Sequence, residues 1–463
     1  MPGTQIESPT LLSAAGRDLL GHAARRAVAY LQSVSTREVA PSEAAVHDLR
    51  QFHEPLPDAP ADPRELIDLL DRIGSPATVA TAGGRYFGFV NGGALPASVA
   101  ATWMAAAWDQ NAGLRVMSPT AAALEDVAIG WVCDLLHLPS DCGAALTTGA
   151  TMANFAALAA ARHALLERAA WNVENDGLFG APPIHVVVGD EVHVSALKAL
   201  ALLGLGRSRV TRVPVDSQGR MRVARLPKLD NRTIVLIQAG NVNTGAFDPA
   251  PEVCREAHAA GAWVHVDGAF GLWAAASPSY AHLTAGFDQA DSWATDAHKW
   301  PNVGYDCGVA LVRDPRPLRS AMAVLAAYLQ PGESREPNHY TPEMSRRARG
   351  VELWAALRSL GRNGMAALVD RTCAHARQFA AGLAEAGYEI LNDVVINQVL
   401  VSFGAPEKTR AVVKAVQADG VCWCGASEWQ GRTAMRISVS SWATTAEDVE
   451  MSLASILRIA RNA

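Results

Sequence analysis

The 463-residue chain has no uninterrupted apolar run of the ~18 residues that a bilayer span needs, so no membrane partner is expected. It has no basic excess either. Its 46 acids outnumber its 40 bases, giving a formal charge of −6. That leaves neither a footprint for nucleic acid nor a polybasic membrane patch. Cysteine is sparse: the seven copies are scattered, odd in number and never spaced CxxC. A disulfide framework or a zinc ribbon is therefore not expected, no metal site is assigned, and a reducing cytoplasm fits best. The opening MPGTQIESPT lacks a cationic stretch followed by an apolar one and does not read as a secretion signal. Repeats and low-complexity tracts are missing too. What is there is globular: 49% apolar and 19% charged residues, enough to bury a large core.

Three regions follow from the patterning. Residues 1–93 read as a helical segment broken by proline. Apolar residues recur at helical spacing from Asp18 to Val34, HEPLPDAPADP interrupts them, and a second helix opens at Arg64 and runs to Ile73. Such a segment must lie on the rest of the chain or on a partner. Residues 94–361 alternate. Short apolar runs (Ala144–Leu146, Ile184–Val188, Thr233–Gln238, Trp263–Val266, Val309–Val312) are separated by helical stretches such as Met152–Arg168, Val194–Leu203 and Ala250–Ala260. That pattern predicts an α/β domain, its mostly parallel sheet covered by helices on both faces. Residues 362–463 read as a small α+β domain: a long helix from Arg362 to Ala386, then alternating stretches and two more helices. Cys422-Trp423-Cys424 reads as strand alternation with both thiols on one face.

Four motifs carry chemistry. In DSWATDAHKW, Lys299 stands among Trp293, Ala294, Ala297, Trp300 and Pro301 rather than on a charged surface. A desolvated ammonium has a lowered pKa and becomes an amine nucleophile fit for imine formation. In WVHVDGAFG, a β-branched strand ends at Asp267, where open α/β sheets place ligands, and Gly268 and Ala269 leave room for a flat ring. In ALTTGATMANFAALAAAR, a strand enters a Thr/Gly loop and then a helix. The free N–H groups of that helix and the hydroxyls of Thr147, Thr148 and Thr151 suit an anion. In DEVHVSALKALALLG, His193 opens a helix and can stack on a ring or move a proton. Together they describe one site: a phosphate cradle, a lysine for an aldehyde, and an acid for a pyridine nitrogen. That is the pyridoxal 5'-phosphate arrangement.

From Tyr86 to Trp442 the chain resembles the group II pyridoxal-phosphate-dependent decarboxylases, relatives of the aromatic-L-amino-acid and glutamate decarboxylases. DAHKW, HVDGAFG, LTTGATMANFAAL, GNVNTGAFDP and MSRRARGVELWAALRSLG carry the likeness. The resemblance implies fold type I and a homodimer with active sites between subunits, the N-terminal segment wrapping the partner. It implies that Lys299 binds the cofactor aldehyde, Asp267 the ring nitrogen and His193 the ring face. Ala150, Thr151 and His298 would line the phosphate, and Thr244 and Ala269 would flank the ring. Tyr340, in the Pro- and Gly-rich stretch Tyr328–Arg347, is the implied Cα proton donor. Phe87, Phe89, Asn91 and Trp103 match the part that walls the substrate pocket. The three aromatics favour an apolar or aromatic amino acid, and the polar Asn91 admits an aliphatic or polar one. Arg346, Arg347 and Arg349 read as a solvated helix face. Arg436 ranks low as a carboxylate anchor, because a firmly paired carboxylate is harder to lose.

The implied reaction is decarboxylation of an L-amino acid to the amine and CO₂. The same fold also serves aldehyde synthases, aminotransferases and carbon–carbon lyases. A non-catalytic binding homologue is the remaining alternative, which the intact Lys299, Asp267 and His193 disfavour.

Overall fold

The computed structural model describes residues 13–324 and 335–463. Seven strands form the central sheet: β1 (Gly143–Thr147), β2 (His185–Gly189), β3 (Thr211–Val213), β4 (Thr233–Gln238), β5 (Trp263–Asp267), β6 (Ser292–Asp296) and β7 (Gly308–Val312). Their order is β1-β7-β6-β5-β4-β2-β3. Strands β3, β2, β4, β5 and β6 pair in parallel. Strand β7 runs antiparallel between β6 and β1.

Alternate residues of these strands enter opposite layers. Ala144, Leu146, Val235, Ile237, Val264 and Val266 join one core. Ala145, Ile234, Leu236, Trp263, Ala294 and Ala310 join the other. Burial on both faces explains why the strands read as continuous apolar runs. Each fully buried Val, Leu or Ile contributes about 1.5–3 kcal/mol. The helix Ala150–Arg168 lies across β5, β6 and β7. Its alanines (Ala153, Ala156, Ala157, Ala160) are all buried against the sheet, and small side chains let the helix come close.

A second, antiparallel sheet of β8 (Glu389–Ile390), β9 (Gln398–Ser402), β10 (Gly425–Trp429) and β11 (Arg432–Ser438) has the order β10-β11-β9-β8. Helices Pro406–Asp419 and Ala446–Asn462 share its core. The helix expected from Arg362 runs to Glu385 and is preceded, across a kink at Gly361 (φ 60°, ψ −180°), by helical turns that start at Arg349. Its added first turns bury Val351, Leu353 and Ala356, and the helix packs on Pro119–Leu135. The three arginines read as a solvated face are instead internally paired. Arg346 meets Glu125 at 2.9 Å, both almost wholly buried. Arg349 meets Asp306 at 2.8 Å, and Arg347 meets Glu352.

The N-terminal helices Ala14–Ser33 and Pro63–Leu69 are tied by Arg64–Asp18 (2.6 Å) and Arg26–Asp68 (2.7 Å). The following chain then joins the small domain. The Phe87 N–H donates to the Trp423 carbonyl at 2.8 Å, and the Ser438 N–H to the Phe87 carbonyl at 3.0 Å. Cys422 and Cys424 are both buried while Trp423 stacks on Tyr86, as strand alternation requires. Among the described residues no helix is long and apolar enough to cross a membrane.

Candidate active site

Strands β5 and β6 end side by side in Asp267 and Asp296. Beyond β6 the chain turns through Ala297, His298 and Lys299. Buried Trp300 anchors the turn, its indole N–H donating to Thr372 Oγ1 at 2.8 Å. The Asn91–Pro96 segment closes over it. A Cβ at Gly92 would stand 1.8 Å from the Lys299 carbonyl oxygen, so only glycine fits there. Lys299 Nζ lies 3.0 Å from Asp296 Oδ2, with the lysine side chain 18% exposed and the aspartate 3%. The lysine is thus paired, not bare among apolar neighbours as its flanking residues suggest.

Asp267 is buried at the end of a polar chain. The Trp263 indole N–H donates to Ser292 Oγ (2.9 Å), and Ser292 contacts His265 Nδ1 (2.9 Å). His265 Nε2 contacts Asn154 Oδ1 (2.8 Å), and Asn154 Nδ2 donates to Asp267 Oδ2 (3.2 Å). Complete burial pushes the His265 pKa down to about 3, so the ring is neutral. Because Asn154 donates to the carboxylate, its oxygen must accept, which puts the imidazole proton on Nε2. The Ala269 N–H adds a 3.3 Å contact to Asp267 Oδ1. Among the described residues Asp267 pairs with no cation. Burial raises its pKa against the attraction of His193 and Lys299.

The two site histidines are neutral donors. His298 Nδ1 accepts the Cys307 N–H at 3.1 Å, which leaves the proton on Nε2, 3.5 Å from Asp296 Oδ1. Burial lowers its pKa. His193 caps the helix Val194–Leu202, its Nδ1 accepting the Ser195 N–H at 3.3 Å, and burial lowers its pKa as well. The loop Thr147–Gly149 leads into Ala150, whose N–H points to Asp296 Oδ1 at 2.6 Å. Thr151 follows in the first turn. Gly149 (φ +143°) approaches the His298 ring so closely that a Cβ would lie 3.1 Å from Cε1.

His193, Asp267, Ala269 and Lys299 line one cavity with Gln238, Gly240, Val242 and Phe270. Thr244 belongs to the same loop as Gly240 and Val242, but its hydroxyl is committed to the Gln218 carbonyl at 2.6 Å. Asn91 stands at the rim, accepting the Tyr305 hydroxyl at 2.6 Å, while the Tyr305 ring stacks on His298 at 4.3 Å. Phe89 is exposed and stacks on Trp423. Phe87 and Trp103 are not brought to the cavity. Phe87 is buried in the small-domain core, edge-on to Phe379, and Trp103 lines a surface groove beside the N-terminal helices. An aromatic residue satisfies any apolar surface, so its type alone does not say which one. Tyr340 packs under the Arg335 guanidinium (5.0 Å) and is not among the residues that line the cavity, and part of its stretch, residues 325–334, lies outside the described residues.

Sequence reading missed Asn154, His265, Asp296 and Tyr305. A signal existed for the first two: a polar residue in an alanine-rich helix, and a histidine two positions before Asp267 on the same strand face. Arg436 gains weight. Its side chain is half-buried, among the described residues it hydrogen-bonds Asn243 Oδ1 at 3.4 Å, desolvation lowers its pKa, and its charge acts on His193.

These residues fit pyridoxal phosphate at each end. A buried carboxylate without a cation awaits a protonated ring nitrogen, an amine stands across the cavity, and a helix N–H and a neutral imidazole N–H flank a glycine loop. The fold and site define an enzyme that carries a carbonyl cofactor on a lysine. Residues 47–405 match the pyridoxal-dependent decarboxylase conserved domain, and the chain belongs to that family. It is 24% identical over 419 residues to the aromatic-L-amino-acid decarboxylase of Bacillus atrophaeus, covering 86% of this chain and 85% of that protein. With the aromatic-L-amino-acid decarboxylase of Drosophila lebanonensis it shares 28% identity over 365 residues, 73% of this chain and 88% of that one. The crystal structure of Oryza sativa TDC with PLP and tryptamine superposes with a TM-score of 0.90 at 22% identity, covering 98% and 99% of the two chains, which shows a common fold.

Proposed function

We propose that this family member decarboxylates an L-amino acid with an aromatic or apolar side chain, releasing the amine and CO₂. The observation that carries the reading is the convergence of Lys299, Asp267 and His193 on one cavity. Pyridoxal phosphate supplies there an electron sink for the bond broken at Cα. Lys299 holds its aldehyde carbon, Asp267 its ring nitrogen, and Ala150, Thr151 and His298 its phosphate. The neutral His193 ring, which lines the cavity and holds its proton on Nε2, would stack on the flat cofactor. Phe270 and Val242 exclude water from the cavity and favour an apolar side chain. Arg436, a half-buried cation that forms no ion pair among the described residues, offers a place for the substrate carboxylate.

The two relatives named above support the aromatic assignment. An amino acid panel assayed for CO₂, amine, aldehyde and keto acid tests it. CO₂ and amine in equal amounts, fastest from aromatic or large apolar substrates, are expected. Aldehyde or keto acid without amine would replace decarboxylation by the aldehyde-synthase or aminotransferase reading, and no product from any amino acid would leave the non-catalytic one. Tyr340 is proposed as Cα proton donor, reaching the site of a partner subunit. In the same panel Tyr340→Phe should shift product from amine towards aldehyde, and an unchanged ratio removes Tyr340 from that role.

A homodimer is proposed on the apolar side chains exposed at Phe89, on the helix Pro96–Trp108 and in the segment that follows it: Trp103, Met104, Trp108, Val116 and Met117. Sedimentation should give twice the chain mass at micromolar concentration, and a monomer there would sink the assignment. The seven free thiols support a reducing compartment, the cytoplasm.

A further inference from the structure

One carboxylate occupies the donors that the cofactor needs. Asp296 Oδ1 takes the Ala150 N–H at 2.6 Å and lies 3.5 Å from His298 Nε2, the two groups assigned to the phosphate. Its Oδ2 holds Lys299 Nζ at 3.0 Å, the amine assigned to the aldehyde. The residue is 2% exposed, so water does little to screen its charge.

The charge balance of the cavity points the same way. Two buried carboxylates, Asp267 and Asp296, face a single lysine. Burial keeps His193 and His298 neutral, and it pushes the Tyr305 hydroxyl up to about 12, so that group is neutral as well. Arg436 lies on the His193 side of the cavity. A phosphate ester brought to Ala150 and His298 therefore enters beside a negative charge in a medium of low dielectric.

We propose that Asp296 is a resident counter-anion of the phosphate cradle. It holds Lys299 and the Ala150 N–H and opposes the phosphate ester on loading, so that its charge sets how tightly the cofactor is retained. This rests on the pyridoxal reading of the site. A carboxylate that merely braces the Lys299 turn would act on every carbonyl ligand alike. Asp296 discriminates by the phosphate.

Cofactor-free wild type, Asp296→Asn and Asp296→Ser are titrated with pyridoxal phosphate and, separately, with pyridoxal, which lacks the phosphate. The readout is the visible absorbance of the lysine-bound carbonyl, with far-UV circular dichroism confirming the fold of each variant. Both variants should bind pyridoxal phosphate at least about tenfold more tightly than wild type, while pyridoxal gains far less. An affinity for pyridoxal phosphate that is unchanged or weaker in the variants, or an equal gain for both ligands, overturns the inference. A wild-type chain that shows no band with pyridoxal phosphate overturns the cofactor reading with it. A wild-type band with an unchanged ratio of the two affinities sinks the inference alone.

Discussion

Lys299→Ala should lose every trace of covalently held cofactor and at least about 10³-fold in turnover, since the residue is the proposed covalent anchor. Borohydride reduction followed by peptide mapping should place a pyridoxyl adduct on the Lys299 peptide of the wild type and on no peptide of the variant. An adduct elsewhere in the wild type would move the site. The substitution has a second, separable consequence. It strips a cation from Asp296, a pair whose members are 18% and 3% exposed. Breaking a buried pair on one side costs about 3–5 kcal/mol, and the retained Ala150 N–H contact places this case at the lower end. Lys299→Arg restores the charge without an amine that forms imines readily. It should recover most of the thermal stability of the cofactor-free chain and none of the visible band. Equal melting temperatures for the Ala and Arg variants would show that the pair contributes nothing to the fold.

Much of this architecture could be read from one sequence because the physics is local. Strands β4 and β5, buried on both faces, read as the near-continuous apolar runs Thr-Ile-Val-Leu-Ile-Gln and Trp-Val-His-Val-Asp. The break at Gly361 likewise shows in the residue type, since only glycine takes φ 60° with ψ −180° easily. Edge strand β3 is different. Two of its three residues are exposed, so no apolar run announces it. The site divides the same way. Lys299 and Asp267 stand out because each sits where its residue type is unexpected. Asp296 lies in the same quoted motif, yet its meaning depends on Ala150, 146 residues earlier. The partners His265 and Asn154 are likewise 111 residues apart. Phe87 shows the opposite failure: its motif is informative, but the core it fills belongs to Phe379 and the small domain.

Asp267→Asn tests the other pole of the site and should separate catalysis from stability in opposite directions. The amide has nearly the same shape and can still meet Asn154, but it cannot hold a proton on the ring nitrogen. Losing one preorganised electrostatic group of this kind costs about 10²–10³-fold in turnover, so the variant should bind cofactor and react slowly. The cofactor-free chain should behave otherwise. Burial raises the pKa of Asp267, so between the ordinary carboxylate value of about 4 and the raised one the folded state holds more protons than the unfolded state. Stability of the wild-type apo chain therefore falls as pH rises through that window, and the buried charge is a standing penalty above it. Asp267→Asn removes the penalty. Its melting temperature without cofactor should match the wild type near pH 4 and exceed it near pH 7, and cofactor should stabilise it less. Asn154→Leu takes away the one side-chain donor to the carboxylate among the described residues and should raise the Asp267 pKa further, weakening cofactor binding through Asp267 although Asn154 itself is assigned no contact with the cofactor. Full turnover in Asp267→Asn, or an apo chain that it destabilises at neutral pH, would mean that this carboxylate is a structural partner of Asn154 rather than the charge reserved for the ring.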